Sequence, residues 1–277
     1  MPYFIPFLLL FLVAPSHLLA ANIPALKARH VLVLDENGQT LFSKKADSST
    51  PIASITKLMM AMVVLDAKQN LNKVLTITKA DRDKLKNTGS RLKYGARLTR
   101  EQMLNIALSA SENRAAHVLA RYYPGGESAF IKAMNAKAQL LGMNSTDFRD
   151  PTGLNPGNIS TARDLAVMID AAMNYPLIRK ASTTKQINVS PFGKGKSMKY
   201  KVTNRLLRNN NFNWTIYLSK TGYINEAGRC LVMRAKTAGK TVTIVLLNAF
   251  GKLTPYGDSN RIRKWLLQNN TKLAALN

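Results

Sequence analysis

The sequence predicts an α/β chain of the α+β kind: a mostly antiparallel sheet built from both ends, with flanking helices and an inserted all-helical lobe. Three observations predict it. Strand-like apolar runs lie near the start (His30–Leu34 and Gln39–Ser43) and again near the end (Ile216–Thr221, Cys230–Arg234 and Thr241–Leu247). Helix-period segments fill the interval between, roughly 99–180. No internal repeat or long linker divides the chain, so 21–277 reads as a single domain behind an N-terminal segment of 1–20.

In chain order, Phe4 to Ala14 is an apolar run broken by Pro6 and followed by Pro15, with Ala20-Ala21 before a polar change. It is too short to span a bilayer and resembles an export signal cut after Ala20 or Ala21, although it carries no Lys or Arg. His30–Leu34, the turn Asp35-Glu36-Asn37-Gly38 and Gln39–Ser43 make a hairpin. Pro51 then opens a helix running to Leu65 that is apolar almost all round, so it should be buried. Leu71–Ile77 reads as a short strand and Lys79–Lys86 as a solvated stretch. Thr99-Arg100-Glu101-Gln102 has the form of a capping box opening a helix. After a break at Ser109-Ala110-Ser111, helices follow over Asn113–Arg121, Ala129–Leu141 and Thr161–Met173, with Gly and Pro marking their ends. Ser190–Lys201 reads as an exposed excursion, and Asp258–Gln268 as a closing amphipathic helix.

Composition narrows the function. Forty Lys+Arg against fifteen Asp+Glu give a net charge of +25, all of it beyond the first 26 residues. Such an excess suits a polyanion: nucleic acid, an acidic membrane surface or an acidic wall polymer. Export argues against nucleic acid. With one cysteine, Cys230, no intramolecular disulfide can form, and His17, His30 and His117 are too scattered to read as a metal site. No cofactor motif is legible.

Within the buried helix the strongly polar residues are Ser54, Thr56 and Lys57. Ser54 and Lys57, three apart, share one face. Desolvation and the positive helix terminus both push such a lysine toward its neutral form. A neutral amine beside a serine can take the hydroxyl proton and activate it as a nucleophile. A capping serine and a snorkelling lysine would give the same four letters, and the chain has two more Ser-x-x-Lys sets, Ser90–Lys93 and Ser182–Lys185. The order of motifs is more specific: Ser54-x-x-Lys57, then the chain's only Ser-x-Asn, Ser111-Glu112-Asn113, then its only Lys-Thr-Gly, Lys220-Thr221-Gly222. Acyl transfer needs a nucleophile (Ser54), a base (Lys57) and a group that returns the proton to the leaving amine (Ser111). Asn113 can orient Lys57 and the substrate amide. Lys220 can keep Lys57 neutral and attract a carboxylate, which Thr221 can hydrogen-bond. Gly222 leaves room along the strand. Backbone N–H groups of Ser54 and Tyr223 would supply an oxyanion hole, at roughly 3 kcal/mol per donor.

This ordered triple resembles the signature of β-lactamases and penicillin-binding proteins. The chain is most similar to the serine D-Ala-D-Ala peptidases among the low-molecular-mass penicillin-binding proteins, on the endopeptidase side of that family. The likeness also rests on Ala129–Ala138, Asp150-Pro151-Thr152-Gly153-Leu154, Ser160–Leu165 and Cys230–Arg234, and covers roughly 29–267. It implies a β-lactamase/DD-peptidase-like fold with the active site between sheet and helical lobe. It implies a periplasmic enzyme that cleaves D-alanyl cross-links between peptidoglycan stem peptides through an acyl-enzyme and is acylated by β-lactam antibiotics. Catalysis would fall to Ser54, Lys57, Ser111 and Asn113, and substrate binding to Lys220, Thr221, Gly222 and Tyr223, with no metal or other cofactor. The chain ends soon after its last helix, without the C-terminal β-domain and amphipathic anchor of related carboxypeptidases, so no stable membrane anchor is expected. No Glu-x-x-Leu-Asn lies between Asn113 and Lys220, so an acyl-penicillin should persist. A carboxypeptidase releasing terminal D-Ala is the alternative; a basic wall-binding protein with a dead site is the distant one.

Overall fold

The computed structural model describes residues 24–193, 195, 197–209 and 213–274. The expected export signal of 1–20, His17, Lys194 and Lys196 lie outside the described residues. The hairpin forms as read: β1 (His30–Leu34) and β2 (Thr40–Lys44) pair antiparallel, and the Asp35 carboxylate accepts from the Asn37 and Gln39 amides at 2.9 and 2.8 Å. β3 (Thr50–Pro51) leads into a single 3₁₀ turn, Ala53–Thr56, and then α1 (Lys57–Asp66). β4 (Val74–Thr76) pairs with β5 (Arg97–Thr99), which runs into α2 (Arg100–Ser109). The capping box closes this join: the Gln102 amide donates to Thr99 Oγ1 at 3.1 Å, and the Thr99 amide to Gln102 Oε1 at 2.9 Å.

Helices α3 (Asn113–Arg121) and α4 (Gly126–Leu140) follow, then β6 (Ile159–Ser160), α5 (Ala162–Ala172) and α6 (Pro176–Thr183). β7 (Gln186–Val189) and β8 (Met198–Lys201) form a small hairpin beside the short helix α7 (Arg205–Arg208). β9 (Thr215–Ile224), β10 (Gly228–Thr237) and β11 (Lys240–Ala249) complete the sheet, and α8 (Thr254–Ala274) closes the fold.

The main sheet has the order β2-β1-β11-β10-β9 and is antiparallel throughout, so both chain ends do build it. Its inner strands β1, β11 and β10 are buried on both faces, whereas the edge strand β2 is exposed or half-buried along its length. Leu32, Val232, Val245 and Leu247 point to the core shared with α1 and the other helices. Val31, Val33, Leu231, Met233, Ile244 and Leu246 point to a second core under Ile262, Trp265 and Leu266 of α8. Period-two alternation thus serves two hydrophobic layers instead of one wet face and one dry. Asp258 of α8, fully buried, ties the chain's start to its end by accepting from the Lys27 and Ala28 amides at 3.0 and 2.7 Å.

Three expectations change. The apolar helix begins at Lys57, not at Pro51, because Ala53 takes a left-handed φ of 47° that no α-helix can contain. The stretch 99–180 is not purely helical: β6 pairs with β3, and Asp147 bridges Ile159. Lys79–Lys86 is not wholly solvated, since Asp81 is buried, accepting from Arg121 Nε at 2.8 Å and meeting His117 Nδ1 at 3.1 Å. His117 Nε2 lies 3.2 Å from Glu127, and these two carboxylates raise the imidazole pKa to about 9 against the effect of burial. The described residues of Ser190–Lys201 are mostly exposed, as expected, but the stretch ends in strand β8, where Tyr200 is 3% exposed with Arg91 over its ring.

Candidate active site

The site grows from the turn before α1. Two glycines permit that turn. Gly153, at φ +82°, lies so close that a Cβ there would run into the Ala53 carbonyl and stand 2.8 Å from Ser54 N. A Cβ on Gly222 would stand 2.9 Å from Ile52 O and 3.1 Å from Ser54 N. Gly222 is therefore needed for the chain's own packing: strand β9 presses directly on the Ser54 turn. The room expected for a substrate at that position is filled by Ile52–Ser54. From the other side, Ile52 N donates to Asn158 O at 3.0 Å, and Asn158 Nδ2 donates to Thr56 Oγ1 at 3.0 Å.

Lys57, the first residue of α1, is fully buried. Its Nζ lies 2.8 Å from Ser54 Oγ, 2.8 Å from Asn113 Oδ1 and 2.6 Å from the Thr152 carbonyl. Desolvation lowers its pKa from 10.5 to about 8, against the pull of Asp150 and Glu112. Two of the three partners can only accept, so they hold two N–H bonds. The third direction points at Ser54 Oγ, and in the neutral amine that is the lone pair. Asn113 is oriented in turn: its Nδ2 donates to Thr88 Oγ1 at 3.1 Å, and that hydroxyl donates to Asp83 Oδ2 at 2.7 Å. The chain of donors fixes the Asn113 oxygen toward Lys57.

Ser111, in the break between α2 and α3, has a left-handed φ of 61°. Its Oγ accepts from Lys220 Nζ at 2.9 Å. Lys220 is 1% exposed, also donates to the Thr221 carbonyl at 2.9 Å, and has its pKa driven well down by burial and then by the Lys57 charge. Thr221 Oγ1 donates to Thr203 Oγ1 at 2.7 Å, so offering its proton to a carboxylate needs a hydroxyl rotation. Tyr223 is 47% exposed, with the Arg229 guanidinium 3.6 Å over its ring.

Ser54, Ser111, Asn113, Thr221, Gly222 and Tyr223 line one cleft of about 920 Å³ between β9 and the helices, with the two lysines buried behind it. All eight residues singled out in the sequence thus meet at one place. The other two Ser-x-x-Lys sets do not: Ser90 Oγ donates to Glu112 at 2.7 Å while Lys93 is exposed, and Ser182 Oγ donates to the Arg179 carbonyl at 3.2 Å.

Sequence reasoning gave no role to Asp150, Thr152 or Thr88. The Asp150 carboxylate gathers its own loop, accepting from the Thr152 and Gly153 amides at 3.0 Å each and from the Thr152 hydroxyl. That places the Thr152 carbonyl against Lys57 and Gly153 against Ala53. The only local signal is Asp-Pro-Thr-Gly, which spells a tight turn but not its target. Among the described residues no group of His, Cys, Asp and Glu could hold a metal.

The chain belongs to the D-alanyl-D-alanine carboxypeptidase family, whose model matches residues 18–251. It is thus a serine-type D-Ala-D-Ala peptidase with the penicillin-binding fold. It is 48% identical over 236 residues to a D-alanyl-D-alanine endopeptidase of Pseudomonas aeruginosa, covering 85% of this chain and 76% of that one. With the D-alanyl-D-alanine endopeptidase of Escherichia coli K12 it shares 44% over 247 residues, covering 89% and 79%. The crystal structure of the Streptomyces K15 DD-transpeptidase superposes with a TM-score of 0.80 at 31% identity, covering 88% of this chain and 98% of that one.

Proposed function

We propose that the chain is an exported DD-endopeptidase that cuts D-alanyl cross-links between peptidoglycan stem peptides, with Ser54 as nucleophile and neutral Lys57 as the base. The observation that carries this is the set of three contacts on Lys57 Nζ, which leaves the amine lone pair directed at Ser54 Oγ. Attack forms the Ser54 ester as the scissile C–N bond breaks; the proton passes to Lys57 and on to the leaving amine through Ser111, which Lys220 holds at 2.9 Å. Water then hydrolyses the ester to free the D-alanyl carboxylate and Ser54. Asn113 positions the amine and the substrate amide. The Ser54 and Tyr223 N–H groups receive the oxyanion, a role supported by the close approach of β9 to Ser54 at Gly222. Lys220 and Thr221 hold the carboxylate beside the scissile bond. A β-lactam presents an amide carbonyl with a carboxylate in a similar relation, so it acylates Ser54 by opening its ring, and the ring-opened acyl group stays on the enzyme.

The endopeptidase reading takes its support from the endopeptidases at 48% and 44% identity. The family description, which names carboxypeptidases, supports the second reading. Export to the periplasm rests on the N-terminal apolar run; among the described residues no helix is long and apolar enough to cross a membrane. Purified cross-linked muropeptide dimers decide between the two activities. An endopeptidase converts dimers to monomers and leaves pentapeptide termini largely intact; release of free D-Ala with dimers untouched would make the chain a carboxypeptidase.

A further inference from the structure

The cleft holds more positive charge than one substrate carboxylate requires. Lys185, Lys201, Arg205, Arg208, Arg229 and Lys252 line it, and no Asp or Glu does among the described residues. None of these six pairs with a carboxylate among the described residues. Four of them, Arg205, Arg208, Arg229 and Lys252, share its wall with Thr203, Thr221 and Tyr256. A hydrogen-bonded run joins these last three: Thr221 Oγ1 meets Thr203 Oγ1 at 2.7 Å, and Tyr256 OH meets the Thr203 carbonyl at 3.4 Å. Arg205 and Arg208 are three apart on α7, so they share a face, and with Arg229 they act on the Tyr256 hydroxyl, opposing the rise in its pKa that burial causes. Arg229 Cζ stands 3.6 Å over the Tyr223 ring, a contact that steadies a guanidinium whose N–H fork suits a planar anion. Lys252 stands on the loop before α8, on the wall of the same cleft.

We propose that Arg205, Arg208, Arg229 and Lys252 form a second anion subsite that binds further carboxylates on the leaving strand of a cross-linked peptide; this rests on the endopeptidase reading of the Ser54 centre. The chemistry separates the two activities. When a terminal D-Ala is released, the leaving group carries a single carboxylate, which Lys220 and Thr221 already serve. When a cross-link is cut, the leaving amine belongs to a peptide with carboxylates farther along. A cluster of like charges repels itself until such a polyanion arrives, so binding relieves repulsion as well as forming charge-assisted hydrogen bonds. The subsite therefore selects the cross-link over the terminal residue.

The test uses two dimeric cross-linked peptides that differ only in the leaving strand: the carboxylates farther from the scissile bond are free in one and amidated in the other, while the carboxylate beside that bond is free in both. The parent should cleave the free acid with a kcat/KM about tenfold higher, the worth of one good charge-assisted contact. That preference should reside in KM and shrink as salt rises, because charges beyond about 10 Å are screened at 0.1 M. The double variant R205Q/R208Q should lose the preference through KM while its turnover of the amidated dimer shows an intact fold and centre. A parent indifferent to amidation, or a double variant that keeps the full preference, overturns the subsite and leaves the peptidase reading standing. A parent that neither cleaves either dimer nor takes a fluorescent penicillin overturns the reading of Ser54 and the subsite with it.

Discussion

At the residue scale, activity turns on one proton. Lys57 must be neutral to accept it, and burial lowers its pKa to about 8. The active fraction therefore grows as pH rises: acylation should climb by about tenfold per unit well below 8 and level off above it. Arginine at this position stays charged at any accessible pH and cannot serve as a base. Lys57→Arg should lose nearly as much acylation as Lys57→Ala, on the order of 1000-fold or more for a residue that moves the proton. Stopped-flow penicillin acylation across pH 5–10 checks both statements; an arginine variant within a few-fold of the parent would remove Lys57 from proton transfer. Ser54, Lys57, Ser111 and Asn113 were legible because their types and order are those the chemistry requires. Thr88 was not: it acts by turning the Asn113 amide across 25 positions, and no local pattern reports such a contact.

At the scale of elements, the Ser54 turn is held by parts remote in sequence. The loop after α4 supplies Gly153 and the Thr152 carbonyl, and β9 supplies Gly222. Gly153→Ala would force a Cβ onto the Ala53 carbonyl and also strain φ +82°, so it should cost at least ~2 kcal/mol of stability and most of the activity. Thermal unfolding together with penicillin acylation measures both; a variant that melts with the parent and acylates at its rate would show that the loop does not set the turn. Hairpin, capping box and central strands were readable since each is written in neighbouring residues: Asp35–Gly38, Thr99–Gln102, and the run Thr241–Leu247. The left-handed Ala53 and the buried Asp81 were not, because both are set by what packs on them. The sequence marks Gly222 as a needed glycine but not its closest neighbour, which is the Ser54 turn itself.

At the scale of the whole molecule, the chain's +25 charge is placed largely on exposed faces. Lys79, Arg82, Lys84, Lys86, Arg91 and Lys93 are all exposed, and Lys86 alone among them pairs with an acid, Glu226. Lys199 and Lys201 are exposed beside them, since Arg91 Nη1 donates to the Lys199 carbonyl at 2.6 Å. Such faces should hold the protein on an anionic wall, and exposed charges are screened within about 10 Å at 0.1 M salt. Adsorption of the Ser54→Ala protein to purified sacculi should therefore fall steeply between low and high salt, whereas pelleting indifferent to salt would assign wall binding to another contact. The central claim is that this fold carries one activated serine, and intact-mass spectrometry after exposure to a penicillin tests it most directly. The account predicts a single penicilloyl adduct per molecule, located on the peptide containing Ser54 and absent from Ser54→Ala; an adduct that persists in the alanine variant, or none in the parent, would contradict it.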